Sequence, residues 1–249
     1  MVKTVAVVPV RMTSSRLPGK VMAEVLGKPL LGHIIDRLEC CSSLDDIVVA
    51  TATDISNDSI ETYCRERNIP VFRGSEKDVL DRLLQALTWR NAQTGVLVFG
   101  DCPLIDPKIV EQLILLFESD DQLDFVSNDL CTTWPPGMEV EVFKASALAD
   151  SSLRCIDSEI REHGTLYMRK HPNIYSLQNV DAPPHLSRPD LSLEVDEPDD
   201  LIVIQAVMQS FDGRADLSLE KIIDYMDMNP ELAVSNRNVT RRWTQYRDD

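Results

Sequence analysis

TVAVVPVRMTSSRLPGK, residues 4–20, decides how this chain is read. Its first seven residues form an apolar, β-branched run of strand length. The next ten carry Arg11, Arg16 and Lys20 with Ser14 and Ser15, and close on Pro18-Gly19. A strand apolar at every position is buried on both faces, as in parallel sheets covered by helices. The same alternation continues outward. DIVVATA, IPVFRG, TGVLVFGD and DFVSN read as further strands; LLGHIIDRLECC, NDSIETYCRERN, VLDRLLQALTWR and PKIVEQLILLF read as the intervening helices. Strands separated by helices predict an α/β fold with a mostly parallel central sheet and right-handed crossovers. Ligands of such sheets bind outside the carboxyl ends of the strands. The basic loop after strand one and the GDCP segment after strand four therefore face one crevice.

Beyond about residue 130 the pattern changes. EVEVFKA alternates like a strand with one exposed face, and DSEIREHGTLYMRKH reads as helical with a glycine interruption. NIYSLQNV and LSLEV read as strands, DDLIVIQAVMQSF and LEKIIDYMDM as helices, and NRNVTRRWTQYRDD as a loosely held polar tail. We expect one domain over 1–249: a nucleotide-binding half, 1–130, continuous with a smaller substrate-binding and dimerising half, 131–249.

Composition narrows the partners. With 25 Lys plus Arg against 41 Asp plus Glu, the formal charge is −16, which disfavours nucleic acid and anionic membranes. An anionic small substrate then requires a local cationic pocket, so clustered basic residues carry more information than usual. The six cysteines form no CxxC pair and read as reduced thiols. No apolar stretch has the length of a signal or a membrane span, so a cytoplasmic protein is expected.

Three segments bear chemistry. In the 11–20 loop, Arg11, Arg16 and Lys20 with Ser14 and Ser15 can wrap phosphates through guanidinium forks, hydroxyls and backbone amides. The loop is neither GxxxxGK[ST] nor GxGxxG, and a solvated basic loop is the rival reading. Asp101 ends a wholly apolar strand, where a carboxylate suits Mg²⁺ carried by a nucleotide; Asp106, just before Pro107, is the better helix cap. In LEVDEPDDL, Asp196 is either a helix-start acid or the partner of Asp101 at a metal.

Taken together, VPVRMTSSRLPGK, GDCPLID, GMEVEVF, REHGT and VDEPDDL resemble, in this order, the cytidylyltransferases. The spore-coat polysaccharide (SpsF-like) type is most similar, with the CMP-sugar synthetases for 3-deoxy-manno-octulosonate and nonulosonic acids as relatives. The resemblance spans nearly the whole chain, including NPELAVSN. It implies a GT-A-like, Rossmann-like nucleotidyltransferase fold and the use of CTP with Mg²⁺. Arg11, Ser14 and Lys20 are expected on the phosphates, Arg16 as support, and Asp101 and Asp196 on the metal. Arg73, Ser75, Asp81 and Arg82 are expected near the nucleoside. Glu139, Glu141, Arg161, Glu162 and His163 are expected to face the acceptor, a small anionic sugar. Two departures fall on that side: Gly164 stands where a hydrophobic residue usually follows REH, and LSLEV lacks an aromatic residue. Relatives suggest a homodimer. The expected reaction is CTP plus a sugar acid giving a CMP-sugar and pyrophosphate for surface polysaccharide; a sugar phosphate or other phosphate acceptor is the alternative. A glycosyltransferase is disfavoured because GDCP stands where a DxD pair would be.

Overall fold

A computed structural model describes residues 3–241. The buried run at the start is β1 (Thr4–Pro9), and it lies at the centre of a seven-stranded sheet. After it come a short hairpin, β2 (Glu24–Val25) and β3 (Lys28–Pro29), and α1 (Leu30–Glu39). Next are β4 (Asp46–Ala52), α2 (Asp58–Glu66), β5 (Val71–Gly74), α3 (Val79–Trp89), β6 (Thr94–Val98), α4 (Pro107–Glu118) and β7 (Phe125–Ser127). The remainder supplies β8 (Val140–Lys144), α5 (Ala145–Arg154), α6 (Ser158–Glu162), α7 (Leu166–Arg169) and β9 (Leu177–Asn179). It closes with α8 (Pro198–Ser210), α9 (Leu219–Met228) and α10 (Pro230–Ser235).

The sheet order is β5-β4-β1-β6-β8-β7-β9, and β8 alone runs against its neighbours. Period-two alternation sends β1 into two cores. Ala6 and Val8 join Leu31, Ile34 and Ile114 on one face; Val5 and Val7 join Leu83, Leu87 and Leu148 on the other. The fold is thus α/β with a mostly parallel central sheet, as its sequence pattern predicts. Helix starts follow local chemistry. Asp78 accepts the Asp81 N–H at α3, and Asp106 accepts the Lys108 N–H at α4. Glu197 and Asp200 form a reciprocal capping box at α8.

Three expectations need correction. EVEVF is an interior strand, not one with an exposed face: Glu141 is 1% exposed. LSLEV forms no strand; Leu193 and Val195 donate singly to the Pro136 and Asp101 carbonyls, so the segment is stitched across the sheet edge without a ladder. The tail is held as far as it is described, because Arg241 pairs with Asp200. The rest of the predicted loose tail, 242–249, lies outside the described residues.

Because β8 is reversed, its first residues lie at the edge where β1, β6 and β7 end. That brings Glu139 and Glu141 to the same edge as Arg11, Asp101 and Asp129.

Candidate active site

The loop after β1 is pinned before it presents any charge. Met12 donates its N–H to Asn57 Oδ1 at 2.9 Å, and Gly19 donates to the Met12 carbonyl at 2.9 Å. Gly19 has φ of +74°, the left-handed conformation that turns the chain into the next element with no Cβ penalty. A 3₁₀ turn, Lys20–Met22, follows and aims the Lys20 ammonium back at the sheet edge.

There Lys20 Nζ lies 3.1 Å from Asp101 Oδ2, 3.0 Å from Asp196 Oδ1 and 2.7 Å from the Val195 carbonyl. Its partners stand 81 and 176 residues away along the chain, so folding alone brings them together. Burial works against the charge on Lys20, but the two carboxylates more than offset it and hold its pKa above the ordinary lysine value. Arg16 completes the cluster, with Nη2 2.5 Å from Asp196 Oδ2. Asp196 caps nothing, because Glu197 and Asp200 perform that task and leave its carboxylate for the cavity.

The cavity holds about 400 Å³ and is lined by Arg11, Ser14, Ser15, Arg16, Lys20, Arg82, Asp101, Glu139, Glu141, Glu162, His163 and Asp196 among the predicted residues. That volume falls in the range of small-molecule sites. On one wall Arg82 is 2% exposed, its Nη1 donating to the Ser75 and Glu76 carbonyls at 2.5 and 3.3 Å. Its Nε is buried and makes no hydrogen bond among the described residues. Burial, with Arg11 nearby, pulls the Arg82 pKa down to about 10. Burial likewise lowers the His163 pKa.

Four predicted residues are placed elsewhere, and Asp81, in the first turn of α3 outside the cavity lining, is one of them. Arg73 turns from the cavity to Asp58 and Glu61 on α2, at 2.6 and 2.5 Å. Ser75 Oγ accepts the Asp78 N–H at the start of α3. Arg161 pairs with Asp78 at 2.7 Å and donates to the Ser152 and Cys155 carbonyls, joining α6 to α3. Beside Glu141 the cavity is instead lined by the guanidinium of Arg169, whose Nη1 lies 2.9 Å from both Asp129 and Glu141. Asp129 and Glu194 also line the cavity unpredicted. Asp129 was findable by the reasoning used for Asp101, since it too follows a buried strand.

Burial raises the Glu141 pKa to about 7, against the pull of Arg169. In an unfolded chain a glutamate titrates near 4.5. The folded state therefore holds the extra proton between those values, and this group's contribution to stability falls as pH rises through that window. His33 and His163, both lowered, push the other way below about 6.5. The test is thus a difference: the melting temperature of Glu141→Gln minus that of wild type should rise from pH 5 to about 7 and level off above it. Parallel curves would contradict the assignment.

Gly164, the departure after REH, has φ of +59°, and a Cβ there would lie 2.8 Å from Leu83 Cδ1. Restoring the hydrophobic residue as Gly164→Val should cost roughly 1–3 kcal/mol of backbone strain, plus the clash. Thermal melts check this; an unchanged midpoint would contradict it.

Two acidic side chains and a bound ammonium fit a divalent-cation site. Among the described residues no group of three or more His, Cys, Asp or Glu forms a cage. Mg²⁺ characteristically takes one or two carboxylates and fills its remaining positions with waters and substrate phosphates. Lys20 marks the point between Asp101 and Asp196 where positive charge is stabilised.

The sequence profile of the family described as cytidylyltransferase matches residues 5–230. The spore coat polysaccharide biosynthesis protein SpsF of Bacillus subtilis is 30% identical over 233 residues, which cover 91% of this chain and 95% of that protein. An 8-amino-3,8-dideoxy-manno-octulosonate cytidylyltransferase of Shewanella frigidimarina is 35% identical over 119 residues, 47% of this chain and 48% of its own length. A solved cytidylyltransferase structure from Leptospira borgpetersenii superposes with a TM-score of 0.90 at 26% identity, over 97% of this chain and 99% of the other. No helix among the described residues is long and apolar enough to cross a membrane. The family match runs from β1, through the loop and both aspartate turns, to the start of α10: the chain belongs to the cytidylyltransferase family and is a CTP-dependent nucleotidyltransferase.

Proposed function

We propose that this enzyme transfers CMP from CTP to a sugar acid with the aid of Mg²⁺, releasing pyrophosphate and supplying a CMP-sugar for surface polysaccharide. One observation carries the reading. Asp101 and Asp196 converge on a single cation beside a loop of arginine, lysine and serine, at the carboxyl edge of the sheet. The matches to SpsF and to an aminodideoxyoctulosonate cytidylyltransferase support the acceptor class.

Charge supports the cation. The described lining residues include seven carboxylates against five lysine and arginine side chains, too few cations for a triphosphate and an acidic sugar. Burial raises Glu141 to about 7 and Glu194 to about 8, which softens the repulsion without reversing it. A divalent cation between Asp101 and Asp196 would supply charge neutralisation and a lowered pKa for a coordinated hydroxyl.

The chain's own residues do the rest. Arg11, Ser14, Ser15, Arg16 and Lys20 hold the phosphates, and Lys20 leaves the two aspartates to do so. Arg82 faces the nucleotide from the cavity wall, held by the Ser75 carbonyl, while Arg73 ties the end of β5 to α2. Glu139, Glu141, Glu162 and His163 orient the acceptor, and Arg161 fixes the helix that carries the last two. The acceptor hydroxyl gives its proton to water as its oxygen bonds to the α-phosphorus, the α–β bridging P–O bond breaks, and the pair of electrons leaves on pyrophosphate. Arg11, Arg16 and Lys20 on the leaving oxygens stabilise the growing charge there, and in-line positioning supplies much of the remainder.

A pyrophosphate-release screen that crosses four nucleoside triphosphates with sugar acids and sugar phosphates tests this. Release is expected with CTP and a sugar acid, and only with Mg²⁺ present. Release with sugar phosphates alone would overturn the acceptor class.

A further inference from the structure

Arg241 lies outside the cavity lining and beyond the stretch matched by the family profile, yet it grips the turn that carries Asp196. Its guanidinium forks onto Asp200, with Nη1 to Oδ2 at 3.0 Å and Nη2 to Oδ1 at 2.6 Å. Glu194 Oε1 is 3.5 Å from Nη1. Asp200 is fully buried, and the same carboxylate accepts the backbone N–H groups of Asp196 and Glu197, both at 2.9 Å. Asn236 reinforces this joint through Nδ2, which donates to Asp200 Oδ1 at 2.9 Å and to the Ser192 carbonyl at 3.2 Å.

A second connection runs through the phosphate loop. The Thr240 carbonyl accepts from Arg16 Nη1 at 2.6 Å, while Arg16 Nη2 holds the Asp196 carboxylate. The segment thus reaches Asp196 twice: at its backbone through Asp200, and at its side chain through Arg16. Removing Arg241 would leave the buried Asp200 carboxylate without its forked cation, which is costly enough to move the turn it holds.

We infer that residues 236–241 are a latch that completes the cation-binding edge, with Arg241 as its positioning residue. The inference rests on the reading that Asp196 holds the divalent cation. Residues behind a metal ligand typically govern affinity by 10–100-fold.

The test is Mn²⁺ binding to the enzyme with CTP, followed by electron paramagnetic resonance, beside the Mg²⁺ dependence of turnover and the melting temperature. Arg241→Gln should weaken Mn²⁺ binding by roughly tenfold or more and raise half-saturating Mg²⁺ to match, with the acceptor KM unchanged. Arg241→Lys keeps the charge without the fork and should recover part of the loss. Should Arg241→Gln fail to fold, Asn236→Ala is a milder cut at the same joint and should show the same selective loss on a smaller scale. Unchanged Mn²⁺ affinity in folded variants would overturn the latch. So would losses spread evenly over metal, nucleotide and acceptor in step with melting temperature. Failure of the underlying reading looks different: wild type with CTP would bind no Mn²⁺, or Asp196→Asn would bind it as well as wild type.

Discussion

Asp101→Asn should lower turnover by about 10²–10³-fold or more at saturating CTP, the scale of removing one preorganised electrostatic group. The amide keeps the shape of the side chain but loses the charge that a divalent cation requires. Excess Mg²⁺ should restore little. The variant should remain folded, because Lys20 keeps Asp196 and the Val195 carbonyl as partners. Steady-state kinetics over a Mg²⁺ series, with a melting curve, check both halves. Near-normal turnover in a folded variant would remove Asp101 from the metal site.

Lys20→Met separates two roles of one side chain. In the free enzyme its ammonium occupies the space between the aspartates, so a divalent cation arriving without nucleotide meets a competitor. Losing that charge should let Asp101 and Asp196 bind Mn²⁺ more tightly than wild type when no CTP is present. Turnover should nevertheless fall by about 10²-fold or more, since the loop no longer brings this cation to the triphosphate. Calorimetric titration of Mn²⁺ into the nucleotide-free proteins measures the first effect and kinetics the second. Equal metal affinity in the two proteins would show that Lys20 does not guard the site.

The donor side of this cavity was legible because it follows from local patterns. An apolar run fixes a buried strand, the strand fixes an edge, and the next residues, Arg11 or Asp101, must emerge there. Asp106 could be set aside as a cap on the same grounds, since it precedes Pro107. Asp196 was ambiguous alone: only the capping box of Glu197 with Asp200 shows that its carboxylate is spared.

The acceptor side was less legible, for a physical reason. EVEVF alternates as a half-exposed strand would, and nothing local tells a solvated glutamate from one buried against Arg169 and Thr165. That pairing joins residues 24 and 28 apart and forms only once β8 has been inserted in reverse. Arg73 and Arg161 show the converse limit. Their segments do approach the cavity, but their guanidinium groups are drawn to Asp58, Glu61 and Asp78 instead. Gly164, read as a departure from its relatives, has a direct cause in its left-handed backbone against Leu83.

CTP labelled at the α-phosphate, incubated with Mg²⁺ and the panel of sugar acids, tests the central claim most directly. The label is expected to enter a sugar conjugate, with one pyrophosphate released for each labelled sugar formed. Label recovered only in free cytidine nucleotides, with no labelled sugar under any acceptor, would contradict it.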